Sequence, residues 1–92
     1  MQDEDFEWDD DKARSNLQKH RIAFETARMV FEDPDRIEEP DYDTGEERWC
    51  LTGRAGDNLL VVVYTERNGR YRIISARKAD KHDRSKYLQD GR

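Results

Sequence analysis

Residues 47–78 read ERWCLTGRAGDNLLVVVYTERNGRYRIISARK, and their period of two decides the fold. Runs 47–52, 58–66 and 70–78 are rich in Val, Ile, Tyr and Trp, which suit a pleated, half-buried surface. Asn68-Gly69 sits between the second and third runs; this pair favours the tight hairpin turn whose two central residues both need positive φ. Residues 54–57 separate the first two runs. The expectation is an antiparallel three-stranded meander.

Upstream, Phe6-Glu7-Trp8 alternates and reads as a short edge strand. Asp9 fits a helix N-cap, and Asp10 and Asp11 would stand in the first turn, at the positive end of the helix dipole. This helix should run to Lys19 or His20, burying the thin stripe Ala13, Leu17 and Trp8. Phe24, Ala27, Val30 and Phe31 recur at helical spacing and predict a second helix, ended by Asp33-Pro34. Residues 35–46 read as a polar, acidic connection, with a turn at Thr44-Gly45-Glu46. Downstream, Asp80 should cap a last helix reaching Leu88, with Tyr87 and Leu88 as its apolar anchors. The predicted class is α+β: the meander plus a short N-terminal edge strand, packed with two N-terminal helices and one C-terminal helix.

The 92 residues suit one domain, 1–92, with 1–5 as a disordered acidic tail. Charged residues make up 42% of the chain and hydrophobic ones 34%, a balance that by itself suggests disorder. The periodic apolar blocks and 10% aromatics argue for a packed domain instead. One Cys and two His build neither an intrachain disulfide nor a Cys/His zinc site, and no cofactor motif is present. The acidic N-terminus lacks a signal-peptide layout, and no apolar run is long enough to span a bilayer. The expected location is cytoplasmic, with no membrane partner.

Net charge is −5, unevenly spread. Residues 1–47 carry 17 Asp+Glu against 6 Lys+Arg, net −11, while residues 48–92 carry 5 against 11, net +6. A nucleic-acid surface therefore belongs to the second half, unless the halves simply neutralise each other across the fold. Arg72 and Arg77 lie five positions apart on one strand, so regular alternation directs them to opposite faces. Arg72 would share a face with Ile74 and Ala76, and Arg77 with Ile73 and Ser75. Each arginine either grips a phosphate or pairs with Glu47 or Glu66 on a neighbouring strand. His20 serves a helix end or proton transfer, and His82 lies in a charged, solvent-facing helix.

Phe6-x-Trp8-Asp9-x-x-Lys12-x-x-x-Asn16-x-x-Lys19-His20-x-Ile22-x-Phe24-Glu25-x-Ala27 resembles the N-terminal signature of the BrnT toxin family. Glu47-Arg48 followed by Gly53, and Arg72-Ile73-Ile74-Ser75-Ala76-Arg77 before a basic helix, resemble its later blocks. The resemblance implies a bacterial type II toxin–antitoxin ribonuclease with a fold similar to the RelE toxins. It further implies neutralisation by a BrnA-like antitoxin, through which the toxin would meet operator DNA indirectly. Two departures stand out: the family usually has Gly where this chain has Arg21, and Asp83 replaces an expected Glu.

The chemistry implied is metal-independent attack of a ribose 2′-OH on the adjacent phosphate, which inhibits translation by cutting RNA. It needs a base, cations and an acid. Arg48, Arg72 and Arg77 are the candidate cations, and His20, Glu47 and Glu66 are alternatives for proton transfer. Lys19, Lys78 and Glu66 are candidate RNA contacts. The alternative is a binding module of the same fold without cleavage, either an antitoxin-binding co-repressor or an RNA-binding protein.

Overall fold

A computed structural model describes residues 1–42 and 47–91, with side chains described through Gln89. The elements are β1 (Phe6–Glu7), α1 (Asp10–His20), α2 (Phe24–Ala27), a 3₁₀ segment (Arg28–Glu32), β2 (Ile37–Asp41), β3 (Arg48–Ala55), β4 (Asn58–Arg67), β5 (Arg70–Lys78) and α3 (Lys81–Gly91). The strands form one sheet in the order β1-β5-β4-β3-β2. The meander β3–β4–β5 is antiparallel, and its Asn68-Gly69 turn has both residues at positive φ, 55° and 76°.

The sheet departs from expectation at both edges. It is mixed, because β1 pairs in parallel with β5. It also gains β2 inside the segment expected to be a loop, antiparallel to β3. Ile37-Glu-Glu-Pro-Asp41 has poor strand propensity, but pairing to β3 supplies what propensity lacks, and proline is tolerated on an edge strand. The expected turn at Thr44-Gly45-Glu46 lies outside the described residues. Residues 1–5, expected as a loose tail, carry specific contacts. The Asp3 side chain accepts from the N–H groups of Asp5 and Phe6, its carboxylate pairs with Arg28, and its carbonyl accepts from Arg70.

The core lies between one sheet face and the α2–3₁₀ segment. Phe24, Ala27 and Val30 pack against Leu51, Leu60, Val62, Ile73 and Ala76. The second predicted helix is a single α turn followed by 3₁₀, so its apolar positions reach the core on a tighter winding. It ends at Asp33, extended before Pro34, as expected. Phe6, Phe31, Tyr64 and Tyr71 form an aromatic cluster with centroids 4.9–5.6 Å apart. Gly53 permits close approach here: a Cβ would stand 3.0 Å from Val30 Cγ1 and 3.1 Å from the Asp33 carboxylate.

Helix α1 buries Asn16, while Leu17, expected in its apolar stripe, is exposed. The Asn16 amide donates to the Ile22 and Ala76 carbonyls at 3.0 and 2.8 Å and accepts from the Ala76 N–H at 3.1 Å. It thus acts as a substitute strand partner for the β5 edge beyond β1, where backbone groups would otherwise be orphaned. Asp9 caps α1 as expected, accepting from Asp11 and Lys12 N–H.

At the other end of α1, Arg21 adopts the left-handed conformation, φ 62° and ψ 27°. An L side chain there costs roughly 1–2 kcal/mol, against about 0.5–1 kcal/mol for the extra unfolded-state freedom of glycine. Arg21→Gly is therefore expected to stabilise the chain by about 0.5–1 kcal/mol and raise Tm by about 2–8 °C in a scanning melt. An unchanged or lowered Tm would show that the Arg21 side chain makes compensating contacts.

Candidate nucleic-acid interface

The second face of the sheet is organised by one irregularity in β5. Val63 pairs with Ser75 but Tyr64 pairs with Ile73, so Ile74 is an extra, unpaired residue, a β-bulge. The bulge restores phase. Arg72 opposes Thr65 and Arg77 opposes Val61, and Thr65 and Val61 share a face of β4. Arg72 and Arg77 therefore point to the same side, overturning the opposite faces expected from regular alternation.

The register sets three rows of side chains across this face. Asp41 pairs with Arg48, Arg48 precedes the Trp49–Tyr64 pair and so falls beside Thr65, Thr65 pairs with Arg72, and Arg72 pairs with Glu7. The next row holds Glu39, Cys50, Val63 and Ser75, and the third Ile37, Thr52, Val61 and Arg77. Helix α3 lies over the third row, where Thr52 and Val61 are buried. The first row remains partly open to solvent, with Arg48, Thr65 and Arg72 all half-buried.

Helix α3 is held by polar clips. The Arg77 guanidinium donates to Asp83 at 2.7 Å, and Lys86 to Glu39 at 2.5 Å. The Tyr87 hydroxyl donates to Asp33 at 2.7 Å. Asp80 and Asp83 exchange backbone-to-carboxylate hydrogen bonds, both 2.9 Å, in a reciprocal N-cap. Of the expected anchors, Tyr87 is buried and Leu88 exposed. Burial works to raise the Asp83 pKa, but the Arg77 hydrogen bond, the Asp80 N–H and the Arg77 charge outweigh it and hold the carboxyl below its ordinary range. Asp33 is likewise lowered: burial opposes, and the Arg54 N–H, the Tyr87 hydroxyl and the Asp35 N–H prevail.

In the first row, the Arg72 guanidinium donates to Glu7 at 2.6 Å. Its charge also helps hold the Asp9 carboxyl below the ordinary range, after the larger effects of the Lys12 and Asp11 N–H bonds and against burial. The Thr65 hydroxyl donates to the Glu47 carbonyl at 2.7 Å. Glu47, Trp49, Thr65 and Glu66 line a shallow cleft beside the row. On the core side of the same strands, burial and the Glu38 carboxylate accepting its O–H raise the Tyr64 pKa.

The sequence-predicted residues thus fall into two groups. Arg48 and Arg72 flank Thr65, whereas Glu66, paired with Tyr71, falls on the core side by alternation and meets Thr65 in the cleft that Glu47 and Trp49 also line. Arg77 is tied to α3, and Lys78 is exposed at the end of β5. Helix α1 starts beyond Glu7 and reaches Ala76 at Asn16, so Lys19 and His20 lie a turn further, towards the Arg77–Lys78 end. Lys19 is exposed and His20 half-buried. Glu7 and Thr65 were not singled out by sequence. The signal for Glu7 was a carboxylate set between two aromatics, whereas nothing local distinguishes Thr65. Among the described residues, no cluster of three or more His, Cys, Asp or Glu is placed to hold a metal ion, and no helix is long and apolar enough to cross a membrane.

A family model described as the ribonuclease toxin BrnT of type II toxin–antitoxin systems matches residues 8–83. A search of curated proteins returned no match. The family match runs from Trp8, just after β1, to the first turn of α3 and includes Arg48, Thr65, Arg72 and Arg77. The chain belongs to the BrnT family of ribonuclease toxins of type II toxin–antitoxin systems.

Proposed function

We propose that this toxin cleaves RNA without a metal ion on the open end of the sheet, with Arg48 and Arg72 holding the scissile phosphate. The observation that carries this reading is the register across β3, β4 and β5, which sets Arg48 beside Thr65 and Arg72 opposite it, so both arginines share a face with Thr65 between them. Strands lie about 4.8 Å apart, so the two backbones stand about 10 Å apart, within converging reach of two guanidinium forks. The ribose 2′-oxygen attacks phosphorus, the bond to the 5′-oxygen breaks, and a 2′,3′-cyclic phosphate and a 5′-hydroxyl result. Charge gathering on the non-bridging oxygens is met by the arginines. Glu47, next to Arg48 and lining the cleft at Thr65, takes the 2′-hydroxyl proton. Glu66, a second carboxylate in the same cleft, and His20 are the alternatives for giving the leaving 5′-oxygen its proton. Arg77, Lys78 and Lys19 extend the basic surface for the RNA strand.

The whole chain, residues 1–92, acts as one RelE-like toxin domain in the cytoplasm, where RNA cleavage inhibits translation and a BrnA-like antitoxin neutralises it. Contact with operator DNA comes through that antitoxin. A second reading, a binding module without cleavage, draws on the engagement of Arg72 and Arg77 in intramolecular ion pairs.

Incubation of the purified chain with total RNA in EDTA separates the two readings. The wild type is expected to yield fragments ending in cyclic phosphate, and the Arg48→Ala/Arg72→Ala/Arg77→Ala chain to leave RNA intact. Cleavage restored only by added magnesium would overturn metal independence. Intact RNA with folded wild type would favour the binding module, and fragmentation by the triple variant would remove the site.

A further inference from the structure

We propose that Glu7 is a positioning residue for cleavage, fixing the Arg72 guanidinium so that its remaining donors face the phosphate. This deepens the reading above and rests on it. Glu7 sits on a two-residue edge strand between Phe6 and Trp8, is 6% exposed, and pairs in parallel register with Arg72. Its carboxylate accepts from Arg72 Nη1 at 2.6 Å, and the Arg72 side chain is 25% exposed.

Stability alone does not account for this pair. Removing two charges from water is costly, and replacing a buried ion pair by well-packed apolar groups is often neutral or stabilising. At a position only 6% exposed, an apolar side chain would be buried without that desolvation cost. A buried carboxylate gives something an apolar residue cannot, which is orientation. A guanidinium is planar and rigid, with five donors in fixed directions, so holding one nitrogen sets the plane of the others. The partner is itself held: β1 is pinned by Gln2 pairing with Glu7 and by the N-terminal ammonium donating to the Trp8 carbonyl at 3.0 Å. Arg72 is thereby anchored on its β1 side, with Thr65 and Arg48 next along the row on its other side.

A negative charge beside Arg72 also weakens the attraction for phosphate in the ground state. Position and affinity therefore respond in opposite directions when it is removed. Glu7→Gln keeps the shape and an acceptor oxygen but not the charge, and is expected to lower kcat about 10-fold. Glu7→Ala is expected to lower kcat about 100-fold, the scale set by a misplacement of about 1 Å. In neither variant should affinity for a fully 2′-O-methylated RNA, which binds without being cut, fall. A merely structural role would lower the folded fraction and leave kcat per folded molecule unchanged.

The test is a double-mutant cycle on the full chain, scored per folded molecule, with Glu7→Gln as the variant least able to disturb folding. If Glu7 acts through Arg72, adding Glu7→Ala to Arg72→Ala changes cleavage no further. Folded Glu7→Gln and Glu7→Ala chains with wild-type kcat would overturn the proposal, as would an equal loss from Glu7→Ala in both backgrounds. Full activity in Arg72→Ala alone would instead overturn the phosphate-binding row itself.

Discussion

Arg48→Ala and Arg72→Ala, combined in one chain, are expected to lower RNA cleavage by about 10³-fold or more. Removing a single preorganised donor from a developing oxyanion typically costs 10²–10³ in kcat, and here two adjacent donors go together. The combined loss should be smaller than the product of the single losses, because the pair acts on one phosphate as a unit. Arg72→Ala strands the buried Glu7 carboxylate, and breaking a buried pair in this way costs about 3–5 kcal/mol. Activity must therefore be scaled to the folded fraction measured by circular dichroism. Arg72→Lys supplies the complementary chain: it keeps the charge near Glu7 but lacks the fork, and should still lose at least about 10-fold. Arg77→Ala should behave differently, loosening α3 more than it slows cleavage, since its guanidinium is committed to Asp83. If the Arg48/Arg72 chain stays folded and keeps more than a tenth of wild-type activity, the phosphate site lies elsewhere.

Asn16→Ala should produce the largest loss of stability. It removes three hydrogen bonds to backbone groups and leaves the Ala76 N–H, the Ala76 carbonyl and the Ile22 carbonyl without that partner. A buried polar group left unmade costs about 1–3 kcal/mol, so about 3 kcal/mol in total is a conservative figure. For a domain of this size, that corresponds to a Tm drop of about 12–24 °C. Asn16→Asp keeps the acceptor for Ala76 N–H but loses both donations and buries a charge, so it should be no better than alanine. Urea titration gives the difference directly, and a midpoint shift worth less than about 1 kcal/mol would mean that water replaces the amide.

What could be read from the sequence was what is decided locally. The meander follows from alternation within each run, its second turn from Asn68-Gly69, and the two helix starts from Asp9 and Asp80. Each needs only a few neighbouring residues. The failures share the opposite property. The strand Ile37–Asp41 exists because β3 offers an edge, which its own acidic, proline-containing sequence does not announce. Asn16 is buried in preference to Leu17 because β5 needs a hydrogen-bonding partner, a demand set sixty residues away. The candidate site suffered most. Its residue types were recognisable, but the faces of Arg72 and Arg77 depend on pairing with β4, and the carboxylate that holds Arg72 arrives from the far end of the chain.

The bulge at Ile74 has a consequence for how this surface can change over time. What the bulge decides is that Arg72 and Arg77, five positions apart, share a face. Swapping Ile74 for another side chain keeps that arrangement, and so would losing one codon at the bulge, because Tyr64–Ile73 and Val63–Ser75 would then pair without interruption and both arginines would stay on their face. A gap of one position at this point of an alignment therefore leaves inside and outside as they are. The toxin can accordingly vary Ile74 in kind, or drop it, without turning either arginine over.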